Sequence, residues 1–199
     1  MRLNQTIIIL IISIFVISCS ATPGDAAYRG GHPVQAANLY MQGAKLGDSD
    51  AALKLARMIS ESEVSISQYG SATKWLKRSC ELKNNVGCHN LALVYEYGEN
   101  GENKEYTKAQ GYYLLAAEKG YMQSQYNLGT LYSNQYLDDN VEGLKWILLS
   151  QKFAKKCSEE PLCNWVLQDP PGHRAMLENR MTEKQILKSH KEVDEWKSK

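Results

Sequence analysis

A chain of 199 residues has room for one domain of ordinary size. Hydrophobic residues make up 43% and charged residues 23%, the proportions of a soluble globular protein. The formal net charge of +1, from 23 basic and 22 acidic residues, leaves no basic field for nucleic acid or for an anionic membrane surface.

In chain order, Arg2 precedes an apolar run, Ile7–Ile17, broken only by Ser13. The run is too short to span a bilayer and reads as the apolar part of an export signal. It ends at Val16-Ile17-Ser18-Cys19, which resembles a bacterial lipobox. The resemblance implies cleavage before Cys19 and lipidation of that residue, hence a membrane attachment through the N-terminal lipid. Ser20, not Asp, follows the cysteine. By analogy with enterobacterial sorting, that implies the outer membrane, with the protein facing the periplasm. Residues 1–18 are therefore read as a lipoprotein signal peptide. Residues 19–32, small and polar over Ser20–Gly31, are read as a flexible tether.

From residue 33 the sequence repeats itself. A small residue precedes a large apolar one by three at Ala36/Leu39, Ala72/Trp75, Ala109/Tyr112 and Gly143/Trp146. The small anchors are 36, 37 and 34 residues apart. About eleven residues after an anchor comes Ala44-Lys45-Leu46-Gly47 in the first unit and Ala116-Ala117-Glu118-Lys119-Gly120 in the third. A second pattern follows, in which Leu55, Leu91 and Leu128 recur at 36 and 37. Apolar residues three and four apart lie on one face of a helix, so each unit is a helical hairpin. Gly47 and Gly120 fall where a helix ends, because glycine tolerates the left-handed conformation there. A single hairpin cannot bury its apolar face, whereas a stack of them buries a continuous core.

Five cysteines are present. With Cys19 assigned to the lipid, the other four form two local pairs, Cys80/Cys88 and Cys157/Cys163. In an exported chain such pairs suggest two short disulfides. A zinc site is the rival reading, although neither pair is CxxC and His89 alone does not complete a ligand set.

The third unit, Lys108-Ala109, Tyr112-Tyr113, Ala116-Ala117-Glu118-Lys119-Gly120 and Gln125-Tyr126-Asn127-Leu128-Gly129-Thr130-Leu131-Tyr132, resembles the Sel-one-like repeat (SLR), a relative of the tetratricopeptide repeat. The second unit, with seven residues between Cys80 and Cys88, is similar to the cysteine-rich Helicobacter branch, in which the pair clamps two helices across their turn. The resemblance covers about Pro33–Trp165. It departs at Leu39, at the irregular stretch Glu61–Tyr69 and in the fourth unit, whose cysteines are five residues apart. It implies an all-α, right-handed α/α solenoid of about four hairpins over residues 33–168. A breaker, Asp169-Pro170-Pro171-Gly172, opens the remainder, 169–199, a linker and a capping helix running from Thr182 to Lys197. Thr182 with Gln185 fits a capping box. Ile186, Leu187, His190 and Val193 are expected on one face, with Trp196 closing it.

Motifs for chemistry are few. None of the four histidines sits in His-Glu-x-x-His, and there is no Gly-x-Ser-x-Gly elbow or phosphate loop. Ser71-Ala72-Thr73-Lys74 matches the Ser-x-x-Lys of penicillin-recognising enzymes, but no Lys-Thr/Ser-Gly follows. Ser71 is better read as a helix cap. We expect no catalytic residues, no metal and no cofactor. Solenoids hold proteins on an extended surface lined by the first helix of each unit. Positions the repeat leaves free on those helices, Asn38, Gln42, Lys74, Lys77, Tyr113 and Lys145, are the candidate contacts. Small SLR lipoproteins resemble immunity proteins that neutralise type VI secreted toxins, phospholipases among them. The resemblance therefore implies a protein partner of that kind, or alternatively an envelope or cell-wall complex, and no nucleic acid.

Overall fold

Polar residues at the expected helix starts cap the backbone N–H groups that have no partner inside a helix. In the computed structural model, which describes residues 22–198, Asp48 accepts from the amides of Asp50 and Ala51, both at 2.9 Å. Ser71 accepts from Lys74 N at 3.3 Å, Asn84 from Gly87 N at 3.0 Å, and Asp139 from Val141 N and Glu142 N at 3.0 Å. These caps open four of the helices that build the stack. In order the helices are α1 (Pro23–Arg29), α2 (Pro33–Lys45), α3 (Ser49–Ser60), α4 (Ile66–Tyr69), α5 (Ala72–Glu81) and α6 (Asn85–Tyr97). There follow α7 (Tyr106–Ala117), α8 (Met122–Ser133), α9 (Asn140–Ala154), a 3₁₀ turn at Lys155–Cys157, α10 (Pro161–Gln168), α11 (His173–Glu178) and α12 (Glu183–Glu195). No strand occurs among the described residues.

The hairpins are α2/α3, α5/α6 and α7/α8, and the second helix of each packs on the first helix of the next unit. Repeat anchors meet in the seams: Ala36, Ala72, Ala109, Leu55, Leu91 and Leu128 are all buried. Each buried leucine contributes about 1.5–3 kcal/mol relative to exposure, so the periodic pattern and the core are the same set of residues. Trp75 and Trp146 are buried as well, while Tyr112 is half-buried and stacks on Tyr95 at 5.6 Å. Gly47 and Gly120 have φ of 98° and 81°, the left-handed exits expected of them.

The tightest seam is α8 against α9. A Cβ at Gly143 would lie 2.6 Å from the Cβ of Tyr132 and 3.0 Å from Leu177. A Cβ on the facing Gly129 would lie 2.6 Å from Ile147 and 3.1 Å from the Gly143 carbonyl oxygen. The glycine at the fourth anchor, where the other units have alanine, is therefore required by close approach.

Several expectations need correction. The stretch 19–32 is not a flexible tether over its described part. Thr22 and Asp25 form a capping box, Pro23 occupies the first turn, and α1 packs on α2. Asp25 accepts from Lys54 Nζ at 2.6 Å and from Tyr40 Oη at 2.7 Å, and the lysine holds its carboxyl well below the usual range. The small polar residues that read as a linker are helix-start residues. Cys19 and residues 1–18 lie outside the described residues. The irregular stretch after α3 contains α4, whose Tyr69 is buried and takes the Trp75 indole N–H on its carbonyl at 2.8 Å. The fourth pair is unequal: α9 has 15 residues and α10 has 8. An additional helix, α11, packs on α8 and α9 inside the region expected as a linker. It starts after Asp169 and Gly172, both with positive φ (45° and 71°). The capping box of Thr182 and Gln185 is present, and α12 packs on α9. However, α12 ends at Glu195, and its inward face is Ile186, Ser189, Val193 and Trp196. Leu187 and His190 are exposed, because Ser189 takes the buried position and donates to Val141 O at 3.0 Å.

Candidate functional site

A groove lies between the C-terminal end of α2 and α5. Its lining is Ala44, Lys45, Lys74, Trp75, Lys77, Arg78 and Glu81. The cations Lys74, Lys77 and Arg78 stand on successive turns of α5, three to four residues apart, and Glu81 follows one turn further. Lys74 and Lys77 are exposed there; Gln42 on α2 is exposed too but lies outside the lining. Lys74 Nζ lies 5.1 Å over the Trp75 ring. The Ser71 hydroxyl is occupied as a cap of α5. Ser71 and Lys74 are thus accounted for as a cap and a cation over an aromatic ring.

The other expected contacts are placed differently. Asn38 is half-buried and its side-chain oxygen accepts from the Tyr69 hydroxyl at 3.1 Å. Lys145 is drawn inward by ion pairs with Glu142 on its own helix and with Glu192 of α12 at 3.9 Å. It lines a neighbouring cleft with Gln110, Leu114, Glu118 and Tyr132. Tyr113 is no contact residue, for its side chain is fully buried. Its hydroxyl donates to the Glu96 carboxylate at 2.5 Å and accepts from the Asn127 amide at 3.1 Å. Burial raises the Glu96 carboxyl, and burial beside that carboxylate raises the Tyr113 hydroxyl. Tyr113→Phe removes the main donor to a buried carboxyl, and we expect a loss of about 1–3 kcal/mol in urea unfolding. A loss near zero would mean that Glu96 finds another donor.

Sequence reasoning missed three buried polar ties. Glu96 stands inside an otherwise apolar helix stretch, Leu91-Ala92-Leu93-Val94-Tyr95, which was the available signal. Asp169 accepts from the Tyr126 hydroxyl at 2.7 Å and from Arg174 N at 2.8 Å, which docks the start of α11 onto α8. His89 is buried between the rings of Tyr113 and Tyr121 and shares a hydrogen bond of 2.9 Å with the Ser124 hydroxyl. Desolvation pushes its imidazole down from 6.5 to about 4.

All four remaining cysteines are oxidised in pairs, Cys80–Cys88 and Cys157–Cys163, with Cα–Cα distances of 4.5 and 5.8 Å. Bridged sulfurs offer no thiolate, which removes the zinc reading for these residues. Among the described residues no three His, Cys, Asp or Glu side chains converge on a possible metal position. Among them, too, no helix is long and apolar enough to cross a membrane.

The class these features define is an all-α solenoid of SLR-type hairpins. Solved structures bear this out. One is a protective antigen present in uropathogenic Escherichia coli strains, displaying an SLR fold. It has a TM-score of 0.51 at 18% identity over 82% of this chain and 41% of its own length. Another is a Sel1 repeat protein from Oxalobacter formigenes, with a TM-score of 0.52 at 25% identity over 64% of this chain and 55% of its own. This chain thus spans about half the length of those proteins or less. No family model matches the sequence, and no curated protein matches it either.

Proposed function

We propose that this chain is a non-enzymatic protein-binding module of the bacterial envelope, tethered through lipid on Cys19. Its partner docks on the face formed by the first helices of the hairpins. The observation that carries the reading is the exposed α2–α5 groove on the first-helix face of the stack. Hairpins that bury their apolar residues against one another leave such a face free for a partner. The two disulfides suit a compartment where disulfides persist. Within this reading the partner is a secreted toxin, such as a phospholipase, that the chain neutralises. The lipobox, the short stack and the capping helix are the layout of SLR immunity lipoproteins, and an anchored inhibitor waits where an incoming toxin arrives.

The test is affinity capture from envelope extracts with the mature chain carrying Cys19→Ser as soluble bait, read by mass spectrometry. One tight, stoichiometric lipase-like protein is the expected catch. A set of cell-wall or outer-membrane assembly proteins would replace immunity by scaffolding. An empty bait would overturn the binding reading itself.

A further inference from the structure

The binding reading leaves the partner's chemistry open, and the charges in the α2–α5 groove narrow it. Lys45 closes α2, and Lys74, Lys77 and Arg78 stand opposite on α5. Lys45, Lys74 and Lys77 are exposed and make no ion pair among the described residues. The nearest carboxylate to Arg78 is Glu81 at 3.9 Å, while the Arg78 Nε donates to the Ala44 carbonyl at 3.4 Å. Lys54, Lys108 and Arg174, by contrast, are paired closely, with Asp25 at 2.6 Å, Glu105 at 2.7 Å and Glu178 at 2.7 Å. Four cations against the single carboxylate of Glu81 make the groove positive in a chain of net charge +1. Trp75 and Ala44, both buried, lie at its base.

We propose that this groove takes an acidic segment of the protein partner, with carboxylates set against Lys45, Lys74 and Lys77. Three features favour such a segment over other polyanions. The cations flank a concave cleft, which a flat membrane cannot enter. They number four, where a nucleic acid bound by counterion release engages roughly 6–10 phosphates. Finally, Lys74, Lys77 and Arg78 follow the turns of α5 with Lys45 across from them at the end of α2, which suits a short extended chain lying between the two. Charge complementarity of this kind sets which partner is admitted and how fast it docks.

The test uses the oxidised mature chain with Cys19→Ser and a short fluorescein-labelled peptide of alternating Glu and Leu, followed by anisotropy. The peptide is expected to bind, and Lys74→Glu with Lys77→Glu is expected to weaken it at least about tenfold. The same charge change at the exposed pair Lys155→Glu and Lys156→Glu is expected to leave the affinity within about twofold. The groove-reversed chain, checked for native circular dichroism, should instead accept the peptide with Lys in place of Glu. Equal losses from both pairs, or no binding of the Glu peptide, would overturn the proposal. So would lysine-dependent binding to phosphatidylglycerol vesicles without peptide binding. The inference rests on the protein-binding reading, yet the two fail separately. If the chain captures a stoichiometric protein through a surface the groove substitutions do not touch, only the acidic-segment proposal falls. If it binds the peptide but captures no protein, only the functional reading falls.

Discussion

Reducing both disulfides is expected to lower the melting temperature by about 10–20 °C. Cys80–Cys88 and Cys157–Cys163 close loops with sequence separations of 8 and 6. Loops of that size restrict the unfolded chain by about 2–3 kcal/mol each, so together they supply about 5 kcal/mol. That is a large part of the 5–15 kcal/mol that holds an ordinary domain together. At about 2–4 °C per kcal/mol for a domain of this size, the stated shift follows. The two bridges act at different places. Cys80–Cys88 ties α5 to α6 at the turn of the second hairpin, where Lys83 takes a left-handed φ of 64° in place of the glycine of the other units. Cys157–Cys163 ties the 3₁₀ turn after α9 to the short α10. Calorimetry with and without a thiol reductant reads the difference, and separate Cys80→Ser/Cys88→Ser and Cys157→Ser/Cys163→Ser chains apportion it. A melting temperature unmoved by complete reduction would show that hairpin packing alone holds the stack.

Acid is expected to weaken the fold through His89. In the unfolded chain this imidazole titrates near 6.5, and in the folded chain near 4. Between those values the unfolded chain binds the proton and the folded chain does not, so stability falls as the pH drops. The contribution is complete above 6.5, and about 3 kcal/mol of it is gone by pH 4. Burial lowers His173 too, which acts with the same sign, while the raised carboxyl of Glu96 acts with the opposite sign. The readout is therefore the difference between the natural chain and His89→Gln, in which the other groups cancel. The variant is expected to be the less stable at pH 7, where it loses the imidazole between Tyr113 and Tyr121. Its deficit should shrink steadily toward pH 4 in denaturant titrations. A deficit constant across that range would mean that His89 keeps an ordinary pKa inside the fold.

What could be read from the sequence was whatever repeats. Ala36, Ala72 and Ala109, with Leu55, Leu91 and Leu128, recur at one period and are buried at one seam. The caps Ser71 and Thr182 and the exits Gly47 and Gly120 were legible because each has a local backbone cause. Features that depend on a neighbour seen once were not. Tyr113 looked like a free surface position until Glu96 and Asn127, on two other helices, closed over it. Lys145 looked free until α12 brought Glu192 beside it. Leu187 is more apolar than Ser189, yet the close contact of α12 with Val141 of α9 selects the smaller residue. The α2–α5 groove was half visible: Lys74 and Lys77 were expected on it, but Lys45 and Arg78 join only when the C-terminal end of α2 lies beside α5.

If the first-helix face meets the partner, hydrogen–deuterium exchange of the bait, alone and with its captured partner, will be slowed across α2 and α5, extending toward α7, with α3, α6 and α8 unchanged. Protection confined to α3, α6 and α8, or to α12, would instead put the partner on another face.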